Sequence, residues 1–356
     1  MLPNALMRIF GLLSIVLITS CQHVSRKQDA VELGRYEFEQ PQMGVPFRIV
    51  LYSADSASAE SAAKAAFDRI KELNAIMSDY EHESELNQLS RTAGQGRALA
   101  VSGDLWRVLE RSQSLAEQTD GAFDITVGPY VSLWRRARRV KELPDPQKLA
   151  EAGTAVGYRK VILNRRRQTV RLLAPGMKLD LGGIAKGYAV DEALKVLSAH
   201  GVERALVGGA GDIAVSEAPP GSRGWRIALA QFDATGAATN PHVRLRNAAI
   251  STSGDSAQRL EINGRRYSHI VDPRTGLGLT DHSLVTVIAR DCFTSDAAAT
   301  AVSVLGPHRG LRLIERIRGA EARIVRAPEQ SVEVLDSPGF KRFWQLIPRR
   351  DRAVNP

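Results

Sequence analysis

Residues 179–191, Leu-Asp-Leu-Gly-Gly-Ile-Ala-Lys-Gly-Tyr-Ala-Val-Asp, constrain this chain more than any other stretch. A short apolar run ending in Asp180 reads as a strand, Gly182-Gly183 as a tight turn, and residues 184–200 as a helix. That helix places Ile184, Tyr188, Val190, Leu194 and Leu197 on or near one stripe. Glycine lets backbone approach a ligand without interference from a Cβ. The helix N-terminus behind the turn offers free N–H groups and a partial positive charge, and Lys186 adds a full charge in the first turn. Two readings follow: a cradle for a phosphate and its metal ion, or a plain strand–turn–helix connection with an exposed lysine.

The 356 residues suffice for one large domain or two of ordinary size. Apolar residues make up 44% and charged ones 24%, a globular rather than a disordered composition. No internal stretch approaches the roughly 20 apolar residues that span a bilayer. The N-terminus differs. Arg8 precedes an apolar run over residues 9–18, and Ile18-Thr19-Ser20-Cys21 ends it with small residues before a cysteine. This pattern resembles a bacterial lipoprotein signal, in which Cys21 becomes the lipidated first residue of the mature chain. The expected organisation is a signal peptide over residues 1–20, a polar tether over 21–34, a folded domain over 35–346 and a tail over 347–356. Export would put the protein on the periplasmic side of a bacterial membrane, held there by lipid on Cys21.

With Cys21 lipidated, Cys292 stands alone, so neither a disulfide framework nor a thiolate metal site is expected. Its apolar neighbours make it a small buried residue. The formal charge of +9 raises the question of nucleic acid, but export argues against that partner. The clusters Arg135-Arg136-Ala137-Arg138-Arg139 and Arg165-Arg166-Arg167 carry no interleaved aromatics. Both read as turns whose arginines are solvated or lean on anionic lipid headgroups.

Along the chain, β-like runs at residues 36–38 and 46–51 flank Gln40-Pro41-Gln42-Met43-Gly44. A long helix capped by Ser56 or Ser58 runs to about Met77, a turn over residues 78–87 leads into a short helix, and Ser102 caps another. Residues 121–134 read as extended or irregular, and 160–173 as a hairpin around a basic turn. Strands then dominate beyond residue 203, with Asn263-Gly264 as a hairpin turn. An alanine-rich helix over residues 294–305, a helix over 309–317 and two closing strands complete the chain. Helices mixed with many hairpins predict an α+β fold of mixed, largely antiparallel sheets with flanking helices.

Three further stretches set polar residues among small ones: Gly121-Ala122-Phe123-Asp124-Ile125-Thr126, residues 268–276, and Thr294-Ser295-Asp296-Ala297-Ala298-Ala299-Thr300. In the last, Asp296 and Thr300 are four apart on a helix and project from one face. A carboxylate on so tight and dry a face needs a partner. Mg²⁺ would suit an Asp, a Thr hydroxyl and a backbone carbonyl; alternatively, Asp296 caps its helix. On this stretch alone the cap is the simpler reading. The seven histidines lack zinc-hydrolase spacing. Gly208-Gly209-Ala210-Gly211-Asp212 lacks the dinucleotide-loop spacing, and a strand rather than a helix is expected after it. His269, among Asp272, Arg274 and Thr275, reads as a general base or as a structural loop residue.

Taken in order, these stretches resemble the ApbE family, the FAD:protein FMN transferases. The resemblance covers residues 42–306. It rests on Met43-Gly44, Met77-Ser78-Asp79-Tyr80 followed by Ser84-Glu85-Leu86, and Gly121-Ala122-Phe123-Asp124. It continues through residues 179–191, Ile250-Ser251-Thr252-Ser253-Gly254-Asp255, residues 268–276 and residues 294–300. It implies a periplasmic enzyme that uses Mg²⁺ and FAD, moving the FMN half of FAD onto a threonine hydroxyl of a partner flavoprotein as a phosphoester and releasing AMP. Partners of the family are membrane redox complexes such as the sodium-pumping NADH:quinone oxidoreductase.

Carried over by motif, Met43, Tyr80, Ala122, Phe123, Asp124, Asp180, Lys186 and Ile270 would contact FAD. The Gly183 carbonyl, Asp296 and Thr300 would hold the metal, which favours the metal reading of Asp296 over the cap. His269 would serve as the base for the acceptor hydroxyl, with Asp255 second. One departure from the family is Gly208-Gly209-Ala210-Gly211-Asp212, where relatives usually have Asn-Ala-Gly-Gly-Asp. Two other functions use the same residues: a metal-dependent FAD pyrophosphatase giving FMN and AMP, and a non-catalytic FAD-binding lipoprotein.

Overall fold

The computed structural model describes residues 32–232, 238–239, 241–254, 259–327 and 331–344. The expected signal peptide with Cys21, most of the tether, Asp255 and the tail lie outside the described residues. The chain opens with β1 (Gly34–Gln42) and β2 (Val45–Ser53), paired antiparallel around Met43-Gly44. Both turn residues take positive φ, 50° and 77°, as a two-residue hairpin requires, and Gly44 does so without Cβ strain.

Helix α1 (Ser56–Met77) is capped by Asp55, which accepts from the Ser58 N–H at 2.8 Å, rather than by either expected serine. α2 (Glu85–Ser90), strand β3 (Leu99–Ala100) and α3 (Gly103–Gln118) follow, the helices capped by Ser84 and Ser102. α4 (Gly128–Val140) corrects the sequence reading, which left its first half irregular and made a turn of its basic end. Pro129 starts it, and Tyr130, Trp134 and Ala137 form a buried stripe at helical spacing. Next come α5 (Pro146–Gly153) and the hairpin β4 (Val161–Asn164) and β5 (Thr169–Leu172) around the expected basic turn.

Leu179-Asp180 is not a strand. The segment has no ladder partner and is held by the Asp180 N–H, which donates to the Ile125 carbonyl at 2.8 Å. The glycine turn then leads, as expected, into α6 (Ala185–Ala199). The strands β6 (Ala205–Gly209), β7 (Asp212–Val215), β8 (Trp225–Ala228), β9 (Gln231–Phe232), β10 (Ala238–Thr239), β11 (His242–Leu245) and β12 (Ala248–Gly254) follow. The hairpin β13 (Arg259–Ile262) and β14 (Arg265–Ser268) turns at Asn263-Gly264, both at positive φ. The chain closes with β15 (Ser283–Ala289), α7 (Cys292–Leu305), α8 (Pro307–Arg316), β16 (Glu321–Arg326) and β17 (Glu333–Asp336).

Eight strands form one sheet in the order β1-β2-β6-β7-β12-β15-β16-β17, and every neighbouring pair is antiparallel. The fold is α+β. The period of two along each strand sorts side chains between faces. Phe47, Ile49 and Leu51 enter the main core with residues of α1, α6 and α7, while Val50 joins a smaller cluster with Trp225, Ile227 and Phe340. α1 packs on α6, and α6 on α7. Among the described residues no helix is long and apolar enough to cross a membrane.

Candidate active site

Helix α6 has no side-chain cap of its own. Its Gly187 N–H donates instead to Asp296 Oδ2 of α7, at 2.9 Å. In return Asp191 of α6 accepts the Cys292 and Phe293 N–H groups that begin α7, at 2.9 and 2.8 Å. Each helix supplies a carboxylate to the start of the other. α7 also has its own N-cap, Asp291, which accepts from the Thr294 N–H at 2.8 Å. Asp296 is therefore not the cap of its own helix. The two helices meet closely at Gly187, where a Cβ would lie 2.3 Å from the Cys292 carbonyl oxygen.

Lys186 Nζ donates to Asp212 Oδ2 at 2.7 Å and lies 3.7 Å from Asp296 Oδ2. Asp212 follows the Ala210-Gly211 turn of the β6–β7 hairpin, so a strand does follow that glycine stretch. One ammonium thus faces two carboxylates, each 3% exposed. Burial, then Asp212, push Asp296 up to about 7, against the pull of Lys186 and the Gly187 N–H. Burial acts to lower Lys186, but Asp296 and Asp212 overcome it and raise its pKa, so the amine stays charged.

The expected metal donors come together here. A Cβ on Gly183 would lie 3.0 Å from Thr300 Oγ1, so the glycine turn sits against the hydroxyl one helical turn beyond Asp296. Ser253 Oγ at the end of β12 lies 3.4 Å from the same hydroxyl. No hydrogen-bond donor among the described residues reaches Asp296 Oδ1. A divalent cation would offset the surplus carboxylate charge. One carboxylate with neutral oxygens, completed by water and substrate phosphate, is the donor set Mg²⁺ takes. Among the described residues no group of three His, Cys, Asp or Glu side chains is arranged to hold a metal.

A second cluster lies around Asp180. Its carboxylate accepts from the Gly182 N–H at 2.8 Å and lies 3.4 Å from Arg135 Nη2. Arg135 also donates to Asp79, and its guanidinium stands 4.1 Å from the centroid of the Tyr80 ring. Burial, then Asp79, raise the pKa of Asp180 against the Gly182 N–H and Arg135. The Arg135 Nε atom is buried with no partner, a donor that an incoming ligand can satisfy. Tyr80 is 77% exposed, a ring left for something to cover. Sequence reasoning missed Arg135 and Asp212. The stripe Tyr130, Trp134, Ala137 was the signal for the first; a β-hairpin read as a failed dinucleotide loop hid the second.

Ala122, Ile270 and Val304 form one buried cluster. It ties the stretch containing His269 to α7, one turn beyond Thr300. Asp272 and Arg274, close to His269 in sequence, clasp each other through two contacts of 2.9 and 2.8 Å. Phe123 is buried in the main core. Asp124 binds Thr126 and the Tyr158 N–H, so its carboxylate is committed within the fold and its backbone is what remains to offer. Met43, half-buried, marks the tip of the β1–β2 hairpin, at the sheet end shared with Ala210-Gly211 because Phe47 pairs with Gly209. Cys292 is fully buried, as expected.

The fold is α+β, and the site sets a lysine, a glycine turn and a carboxylate–hydroxyl pair at the start of one helix, an arrangement suited to a cation and a diphosphate. Its backbone is similar to the flavin transferase ApbE from Vibrio cholerae, with a TM-score of 0.80 and 28% identity over 88% of this chain and all of that one. It is similar also to the ApbE protein of Thermotoga maritima, with a TM-score of 0.77 and 28% identity over 88% of this chain and all of that one. By sequence it is 32% identical to an FAD:protein FMN transferase of Haemophilus influenzae, over 78% of this chain and 81% of that protein. The ApbE family model matches residues 43–324. The chain belongs to the ApbE family.

Proposed function

We infer that the chain is an FAD:protein FMN transferase, taking FAD as substrate and moving its FMN half onto a partner flavoprotein. The observation that carries this reading is the convergence of Gly183, Asp296 and Thr300 beside Lys186, at a glycine turn that opens a helix. Such a place suits a divalent cation and a diphosphate together. Asp296, Thr300 and the Gly183 carbonyl would hold Mg²⁺, which when bound neutralises charge on the diphosphate. Lys186 and the N-terminal N–H groups of α6 bear on the same charge.

In this reading a threonine hydroxyl of the acceptor attacks the phosphorus on the FMN side. The bond to the AMP phosphate breaks, and the hydroxyl proton passes to His269, with Asp255 the second candidate. A base so placed contributes roughly 10²–10⁴-fold. Tyr80 and Met43 would pack on the flavin ring, and Arg135 stacks on Tyr80. Ala122, Phe123, Asp124 and Ile270 supply apolar surface and backbone, and Asp180 fixes the glycine turn. The acceptor is a subunit of a membrane redox complex. The enzyme meets it on the periplasmic side, anchored by lipid on Cys21, a reading supported by the signal-like residues 1–21.

The test is incubation of the full chain with FAD, Mg²⁺ and an acceptor flavoprotein, read as flavin fluorescence that stays with the acceptor on a denaturing gel. Chelation and Asp296→Ala should each abolish the signal. Rapid FMN release without acceptor would make the protein a pyrophosphatase, and FAD left intact in Mg²⁺ with acceptor present would make it a flavin carrier.

A further inference from the structure

A cleft of about 320 Å³ opens on the far side of α7 from the site just described. Thr294, Ala297 and Ala298 line it, whereas Asp296 and Thr300 project roughly 130° away around the helix. Four arginines, all exposed, line it from separate elements. Arg111 comes from α3, Arg290 from just after β15, Arg316 from the last residue of α8, and Arg318 from the turn before β16. Between them the floor is made of alanines, Ala289, Ala297 and Ala298, whose small side chains leave the space.

The counter-charge is thin. Arg111 donates to Thr294 Oγ1 at 2.9 Å. No carboxylate among the described residues pairs with Arg290, Arg316 or Arg318. The acidic side chain on the cleft, Asp291, is occupied in capping α7. Single arginines elsewhere are paired, as Arg323 on Asp336 and Arg274 on Asp272. Like charges brought together around a small apolar floor repel one another unless an anion joins them. Guanidinium forks match phosphate oxygens in shape and charge. The volume sits at the low end for small-molecule sites, which run from about 300 Å³.

We propose that this cleft is a second anion site, taking a phosphate ester with a small apolar or planar group, up to the size of a nucleoside monophosphate. The phosphate comes either from a free nucleotide or from a phospholipid headgroup.

Calorimetric titration of the full chain tests this, in chelator and with saturating FAD so that the α6–α7 site is filled. The probes are AMP, inorganic pyrophosphate and a soluble short-chain phosphatidylglycerol. The double variant Arg316→Gln/Arg318→Gln is compared with a control of equal charge change in the β4–β5 turn, Arg166→Gln/Arg167→Gln. Affinity should fall about 100-fold in the first double variant, about tenfold per guanidinium, and hold in the control. Uptake of AMP or pyrophosphate identifies the free phosphate as the source, and uptake of the lipid alone identifies the headgroup. No uptake of any probe, equal weakening in both variants, or unchanged affinity in the cleft variant overturns the proposal. Flavin transfer by the cleft variant should stay at the wild-type rate, so the outcome is independent of the catalytic reading.

Discussion

Replacing Gly187 with alanine tests whether the α6–α7 contact holds both the fold and the site. The added methyl would lie 2.3 Å from the Cys292 carbonyl oxygen and 2.7 Å from Asp296 Cβ. Restoring an ordinary contact of 3.4 Å requires the helices to part by about 1.1 Å. The obstacle is backbone, so no side-chain rotation relieves it. Overpacking of this kind costs about 1–3 kcal/mol. The same shift stretches the bond from the Gly187 N–H to Asp296, a charge-assisted contact worth about 1.5–3 kcal/mol. Alanine's better helix propensity returns about 1 kcal/mol. The net expectation is a loss of about 1.5–5 kcal/mol and a Tm lower by roughly 2–8 °C. Because Asp296 moves with α7, flavin transfer should also fall at least about tenfold under conditions where the variant remains folded. Gly103→Ala is the control: no atom lies within 4 Å of its Cβ position at the start of α3, so stability should hold or rise by up to about 1 kcal/mol. Thermal unfolding by circular dichroism and the transfer assay read both. A Gly187→Ala protein with wild-type Tm and wild-type transfer would refute the reasoning.

Two further outcomes are expected. Burial pushes the Asp191 carboxyl up to about 6 from its usual 3.8, against the Cys292 and Phe293 N–H groups. Between those values the folded chain keeps a proton the unfolded chain has lost, so stability falls as pH rises through that window and levels off above it. The stability of wild type relative to Asp191→Asn, from urea unfolding, should decline by about 2 kcal/mol between pH 4 and pH 7, and a constant difference would contradict the assignment. Arg135→Ala should raise the KM for FAD roughly tenfold while kcat stays within about threefold, because it removes a positioning contact beside Tyr80. Steady-state kinetics showing the reverse split would place Arg135 in the chemical step instead.

Much of this was legible in the residues, for identifiable reasons. The Asn263-Gly264 turn announces itself because few residues accept positive φ, and α1, α3 and α6 follow from apolar spacing. α4 was lost because its arginines masked a three-residue buried stripe, and the strand expected at Leu179-Asp180 failed because nothing pairs with it. The spacing of Asp296 and Thr300 is local and could be read; the partners of Asp296 are not. Gly187 is 109 residues away, and Asp212 reaches it only through the turn of a hairpin. Contacts of that range are set by how helices stack on the sheet, which no local pattern encodes.

The exchange of carboxylates between α6 and α7 also bears on how the protein matures. Donors at the head of either helix stay unmatched until the other arrives, and the partners are more than 100 residues apart along the chain. Contacts that distant form late, after the intervening strands have closed their loops. A chain caught part-way through folding would therefore hold no partly working version of the site, and its capacity to handle flavin would appear only with the last docking event.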